Sequence, residues 1–286
     1  MKKQVLKIEL NNFFIRTLTG IVFASVIIGS LLMHPYAFVT LMLIFSLLAL
    51  MEYKRIFFKN ISVLLVIIYL LTGTIIYSLI VSISLFGLNE IFLYGILAFI
   101  LILLLVFYVI NNKGLQPLVK QLYNIVSAFL YISLPFALMS FLYDFNSENL
   151  YNLIIGVFIL MWIFDSFAYI TGTLIGKHKM AIKISPKKTW EGLIGGAIFC
   201  FTTAYILSLF LKVEVLQTKF LLVYWLIIAL IVVVMGTIGD LFESKLKRKA
   251  GIKDTAILLP GHGGILDRFD SLLFVIPSIV VLLLVL

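Results

Sequence analysis

Asp240 and Glu243 stand three residues apart, and beyond a short polar segment Asp267 and Asp270 repeat that spacing with Arg268 between them. Carboxylate oxygens grouped in this way suit a hard cation such as Mg²⁺, which usually completes its shell with water and substrate phosphate. Salt bridges to neighbouring lysines are the competing use of the same groups. Ser244, Lys247, Arg248 and Lys253 lie between the pairs and bring hydroxyl and cationic donors that match phosphate oxygens. On a helix Asp240, Glu243, Ser244 and Lys247 share one stripe. The turn Pro260-Gly261-His262-Gly263-Gly264 follows, with glycines that let backbone approach a ligand closely. His262 can bind phosphate, act as an acid or cap the turn; it lacks the spacing of a zinc site.

Two further constellations carry polar chemistry. In Ser185-Pro186-Lys187-Lys188-Thr189-Trp190-Glu191-Gly192, the proline biases Ser185 toward an extended conformation. Ser185, Lys187, Lys188 and Thr189 then precede a helix opening near Trp190 or Glu191, where free backbone amides favour a phosphate. An ordinary basic loop that sets membrane orientation is the plainer alternative. Asp165 lies midway along an apolar run and shares a helical face with Tyr169, Gly172 and Gly176. An acid at that depth points to a metal or substrate, or to a hydrogen bond with a neighbouring helix across a glycine packing face.

The elements that must position these groups are membrane helices. Hydrophobic residues make up 63% of the 286-residue chain and charged ones only 12%, too little polar surface to cover a soluble globule of this size. Runs of about 17 to 25 residues cross a roughly 30 Å hydrocarbon core. On that measure the expectation is an all-α integral membrane protein of about nine spans, at 17–33, 36–51, 61–84, 89–110, 121–143, 150–175, 192–211, 220–241 and 268–286. The second is short enough to sit partly in the interface. We expect a single polytopic domain over 1–286, with 1–150 mainly scaffold and 151–286 carrying the catalytic helices and loops. The opening MKKQVLK and the run behind it read as a retained anchor, and Cys200 as a small buried apolar residue.

Basic residues set orientation. With the N-terminus inside, Lys2, Lys3, Lys7, Arg16, Lys54, Arg55, Lys59, Lys113, Lys120, Lys177, Lys179, Lys183, Lys187, Lys188, Lys245, Lys247, Arg248, Lys249, Lys253 and Arg268 all face the cytoplasm. Only Lys212 and Lys219 fall outside, so 20 of 22 basic residues obey the rule. An odd number of spans then puts the C-terminus outside. A net charge of +9 confined to membrane-facing loops fits anionic lipids and phosphorylated small molecules as partners, and disfavours nucleic acid.

The stretch from Ser244 to Asp270 resembles the signature of the CDP-diacylglycerol synthases, or phosphatidate cytidylyltransferases, at Ser244, Lys247, Arg248, Lys253, Asp254, Ala256, Leu259, Pro260, His262, Gly263, Gly264, Asp267, Arg268 and Asp270. The SPKKTWEG segment and the series Asp165, Ala168, Tyr169, Gly172 are similar to the same family. Ile182 departs from the proline common there, which bears only on the path of that loop. The resemblance implies condensation of CTP with phosphatidic acid to CDP-diacylglycerol and pyrophosphate at the cytoplasmic face of a bacterial inner (plasma) membrane. It implies Asp240 and Asp267 as Mg²⁺ ligands, with Glu243, Asp270 and Asp165 in support, and a second cation, K⁺. Lys247, Arg268 and His262 join the two aspartates as catalytic candidates. Ser185, Lys187, Lys188, Thr189, Ser244, Arg248, Lys253, Gly263 and Gly264 are substrate-binding candidates, and the family pattern extends to a homodimer. A transporter is the rival class, since intramembrane acids and broken glycine-rich helices also mark transport paths. The absence of an inverted repeat and the gathering of polar groups at one face count against it. The aspartate pattern of the CDP-alcohol phosphotransferases is also missing.

Overall fold

The computed structural model describes residues 2–58, 62–86, 117–143, 151–213, 221–256 and 263–285. Ten helices are described: α1 (Lys2–Met33), α2 (Pro35–Phe57), α3 (Val63–Phe86), α4 (Pro117–Ala128), α5 (Leu134–Leu138), α6 (Asn152–Leu174), α7 (Trp190–Phe210), α8 (Leu221–Lys249), α9 (Leu266–Phe269) and α10 (Leu272–Val285). Two strands, β1 (Lys179–Ala181) and β2 (Ser185–Thr189), form an antiparallel hairpin. Helices dominate because a lipid-facing segment must satisfy its backbone internally. Side-chain hydroxyls do likewise: Thr72, Thr171, Thr202 and Thr237 each donate to the carbonyl four residues back.

Six described segments are long and apolar enough to cross a membrane: Pro35–Phe57, Val63–Leu85, Tyr123–Leu142, Asn152–Leu174, Trp190–Phe210 and Leu221–Lys249. Thr17–Met33 and Leu272–Val285 are shorter apolar helices. The expected span at 89–110 lies outside the described residues. Expectation and structure part in three places. The second span does not end at residue 51, because α2 continues through the buried Glu52 and Tyr53 to Phe57. The fifth spans Tyr123–Leu142 as one helix but changes its winding: Pro135 offers no N–H, and the chain passes through a π turn at Phe129–Ser133 and a 3-10 turn at Met139–Leu142. The basic segment before α7 is an ordered hairpin, not an irregular loop.

The chain divides into two compact units. Val39–Phe141 contains most of α2 with α3 to α5; there Tyr77 donates to the Val39 carbonyl at 2.7 Å and Tyr69 to that of Leu50 at 3.4 Å. The other unit joins Met1–Phe38 to Leu142–Leu286 and holds the sequence-predicted site residues that are described. Within it Phe23 of α1 meets Phe269 of α9 edge-on at 5.8 Å, and Tyr143 donates to Leu31 at 2.9 Å. Cys200 is fully buried, as expected.

Missing side chains set the helix spacings in this unit. A Cβ on Gly195 would stand 2.4 Å from Thr171 Oγ1, and one on Gly196 2.9 Å from the Ala168 Cβ, so α6 and α7 touch almost backbone to backbone. On the α8 side, a Cβ on Gly156 would fall 2.0 Å from the ring of the buried Trp225. Gly239 of α8 admits the Asp270 carbonyl, 2.5 Å from where its Cβ would be. On the expected glycine face of α6, a Cβ on Gly172 would stand 3.0 Å from Thr189 Oγ1, so this glycine serves packing against the start of α7, while Asp165 is exposed.

Candidate functional site

The last turns of α8 carry Asp240, Glu243, Ser244 and Lys247 along one stripe, and Ser244 donates to Asp240 Oδ1 at 3.3 Å. The helix runs on to Lys249, two turns past the expected end of the span, and so projects these groups beyond its most apolar part. Lys247 forms ion pairs with Glu243 and with Asp267, its Nζ lying 2.7 Å from Asp267 Oδ1. The other Asp267 oxygen, Oδ2, accepts the Thr255 N–H at 3.0 Å, the Thr255 hydroxyl at 3.0 Å and the Gly264 N–H at 2.8 Å. One carboxylate thus ties α8, the segment after it and the turn before α9. Burial alone would push the Asp267 carboxyl up, but the Gly264 N–H and the Lys247 ammonium hold it below the usual carboxylate range.

Gly263 makes this knot possible. Its φ is +82°, and a Cβ there would stand 2.5 Å from Asp267 Oδ2. Glycine at 263 therefore makes room for the aspartate, and Gly264 supplies an amide to it. Glu243 is only 1% exposed, and its Oε1 receives no donor among the described residues. A buried acceptor without a donor is costly, by about 1 to 3 kcal/mol.

A second set of acids lies beside the knot. Asp165 from α6, Asp240 from α8 and Asp270 ahead of α10 are near enough for each to feel another's charge. Asp165 is exposed. Lys188, projecting from β2, pairs with Asp240 Oδ2, and Arg268 adds positive charge toward Asp165. Asp270 Oδ1 accepts the Ser271 N–H at 2.7 Å.

Thr189 ends the hairpin and caps α7, accepting the Gly192 N–H at 3.2 Å. The helix opens at Trp190, as its sequence predicts, and the stretch from Ser185 is extended. Lys187 points outward, whereas Lys188 turns toward Asp240. Arg248 donates to the carbonyls of Ile184 at 3.4 Å and Ile252 at 3.3 Å, joining the hairpin tip to the segment after α8.

A family model described as the cytidylyltransferase family matches residues 14–286. The chain belongs to the cytidylyltransferase family. A phosphatidate cytidylyltransferase of Staphylococcus saprophyticus is 38% identical over 192 residues, 61% of this chain and 71% of that protein. One of Staphylococcus haemolyticus is 43% identical over 161 residues, 55% of this chain and 59% of its own. One of Staphylococcus aureus is 44% identical over 146 residues, covering 50% and 53%.

In this family member the structure brings together Asp165, Lys188, Asp240, Glu243, Ser244, Lys247, Gly263, Gly264, Asp267 and Asp270, from segments as much as 105 residues apart in sequence. Lys253 and Lys187 lie exposed, and Ser185 is half-buried in the hairpin. His262 lies outside the described residues. Sequence reasoning passed over Thr255, which gives Asp267 two of its four donors, and His178 and Glu191, which pair at the base of the hairpin. Thr255 is the single threonine between Ser244 and Asp270 and carries no periodic signal; only its place beside the signature aspartate Asp254 pointed there.

No three His, Cys, Asp or Glu side chains among the described residues are drawn together closely enough to grip a metal ion. In kind, however, the donors fit a hard divalent cation: oxygen only, mutually repelling, and compensated where they pair by the ammonium groups of Lys188 and Lys247.

Proposed function

We propose that this chain is a phosphatidate cytidylyltransferase, condensing CTP with phosphatidic acid to give CDP-diacylglycerol and pyrophosphate. The observation that carries the reading is the meeting of carboxylates and lysines from α6, β2, α8 and the turn before α10, within a chain of apolar helices. A lipid phosphate and a soluble triphosphate must meet where a membrane helix ends in polar groups, and α8 ends that way.

A phosphatidate oxygen attacks the α-phosphorus of CTP in line as pyrophosphate leaves. With a second phosphate pKa of about 6 by analogy with phosphorylated side chains, the nucleophile is already ionised near neutral pH and needs no strong base. Repulsion between two anions is the barrier, and positioning with charge neutralisation is the remedy. Lys188, Lys247, Arg248, Lys253 and Arg268 supply positive charge, with Lys187 at the rim; Ser185, Thr189 and Ser244 add hydroxyls. Asp240, and Asp267 through Oδ1, would hold Mg²⁺, with Glu243, Asp270 and Asp165 in support and K⁺ as a second ion. Bound there, the metal would neutralise phosphate charge. His262 remains a candidate acid. The Lys188 and Lys247 ammonium groups rest on those carboxylates and are poised to pass to phosphate oxygens.

About nine spans, as the apolar runs predict, with the N-terminus and the site on the cytoplasmic side of the inner membrane and a homodimeric assembly of single-domain chains, complete the reading. Purified protein in detergent micelles with labelled CTP and phosphatidic acid should form CDP-diacylglycerol when Mg²⁺ is supplied and stop when it is chelated. Absence of product across several phosphatidic acids and divalent cations, from protein shown to be folded, would overturn it.

A further inference from the structure

The hairpin that delivers Lys188 is irregularly paired. Lys179 sits opposite Thr189 and Ala181 opposite Ser185, so the four steps of β2 face two of β1 and the register shifts between them. A bulge of this kind re-aims side chains and leaves part of the strand without ladder partners. Strand register is weakly specified in such a ribbon, and a slip of one residue turns a side chain to the other face. Here that slip would withdraw Lys188 from Asp240 and offer Lys187 instead. Something outside the ladder must choose between two adjacent lysines.

His178 and Glu191 flank the open end of the hairpin. The Glu191 carboxylate accepts the His178 backbone N–H at 3.1 and 3.2 Å, and its Oε1 lies 2.5 Å from His178 Nδ1. The Trp190 N–H closes the loop on the His178 carbonyl at 3.0 Å. Glu191 is in the first turn of α7, whose cap is Thr189, the last residue of β2. The clasp therefore fixes the end of the bulged strand to a helix that is packed against α6, while Arg248 holds the tip at Ile184. Lys188 lies one residue from the cap and only 27% exposed; Lys187 remains outside.

We propose that His178 and Glu191 are positioning residues for the cytidylyl transfer proposed above, selecting Lys188 over Lys187 as the lysine that reaches the Asp240 carboxylate and the phosphates gathered there. Neither touches substrate; they act through the strand. This inference rests on the assigned activity, and it is tested by a cycle of variants with a second readout that needs no turnover.

With CTP, phosphatidic acid and Mg²⁺, Glu191→Ala should lower kcat between about tenfold and a hundredfold, the loss expected when a charged group is misplaced by about an ångström. Glu191→Gln should keep most of the rate, since its amide oxygen still accepts the His178 N–H. Adding Glu191→Ala to Lys188→Ala should cost nothing further, whereas with Lys187→Ala the losses should multiply. Independently, amine-directed labelling of the full chain in detergent, read by mass spectrometry, should modify Lys187 faster than Lys188 in the wild type and about equally in Glu191→Ala. Losses that multiply between Glu191→Ala and Lys188→Ala, or an unchanged labelling ratio, would overturn the inference. A wild-type protein without cytidylyl transfer would sink the activity, and the labelling ratio would still decide the clasp.

Discussion

Asp267 and Asp240 are both acids at the same polar end of the molecule, yet the protein treats them oppositely. Both oxygens of Asp267 are filled: Oδ1 takes Lys247 and Oδ2 takes three donors. Asp240 stands among like charges, half-open, with a flexible lysine and a serine hydroxyl for company. A satisfied buried charge is an architectural element, because removing one partner leaves the rest uncompensated. An acid left near other acids costs stability and keeps its capacity to bind. The contrast separates holding the site together from what the site does, and Asp267 touches both through its two oxygens.

The largest effect expected from this contrast is on turnover. Asp240→Asn should reduce CDP-diacylglycerol formation by about a thousandfold, at the upper end for loss of one preorganised electrostatic group. Its thermal unfolding in detergent should be unchanged or slightly higher, since a repulsion is relieved. An Asp240→Asn protein that unfolds well below the wild type would erase the distinction. Asp267→Asn should lose turnover and also about 3 kcal/mol of stability, read as a lower unfolding midpoint in denaturant. A variant as stable as the wild type would show that the knot is ornamental.

Acid sharpens the same test. The Asp267 pKa is depressed on folding, so its contribution is present above the ordinary carboxylate pKa and disappears as pH falls through the depressed one. In metal-free detergent the stability gap between wild type and Asp267→Asn should be full at pH 6 and shrink below about pH 4. A gap that widens in acid would mean that the carboxylate is not held ionised by its donors. The smallest effect is Thr255→Val, which removes one hydroxyl donor but leaves the backbone N–H. It should cost about 1 kcal/mol, with activity reduced no more than a few-fold.

Helical periodicity made one part of this arrangement legible in the sequence. Asp240, Glu243, Ser244 and Lys247 recur at the spacing of a single stripe, and an apolar run that ends in charge announces where that stripe emerges. Thr255 was hidden, and Gly264 was read only as a substrate contact, because no helical period relates either of them to Asp267. Lys187 and Lys188 were indistinguishable as adjacent cations. Telling them apart required knowing that the segment is a bulged strand and which end of it is pinned. Gly263 was read as a place for a ligand to approach; what approaches is the protein's own carboxylate. The change of winding in the fifth span had its cause in plain view at Pro135, but a π turn ahead of a proline leaves hydropathy unchanged.

Gly156 and Trp225 lie away from all of this chemistry, and they act as its gauge block. Nine residues separate Gly156 from Asp165, about 13.5 Å along α6 at 1.5 Å per residue, and the indole presses where a Cβ would be. The width of the gap between α6 and α8 is therefore machined at one place and used at another. A methyl group added at 156 would wedge the helices apart and open the distance between two acids it never meets, so the tolerance of the reactive end is written in a hydrogen atom two and a half turns away.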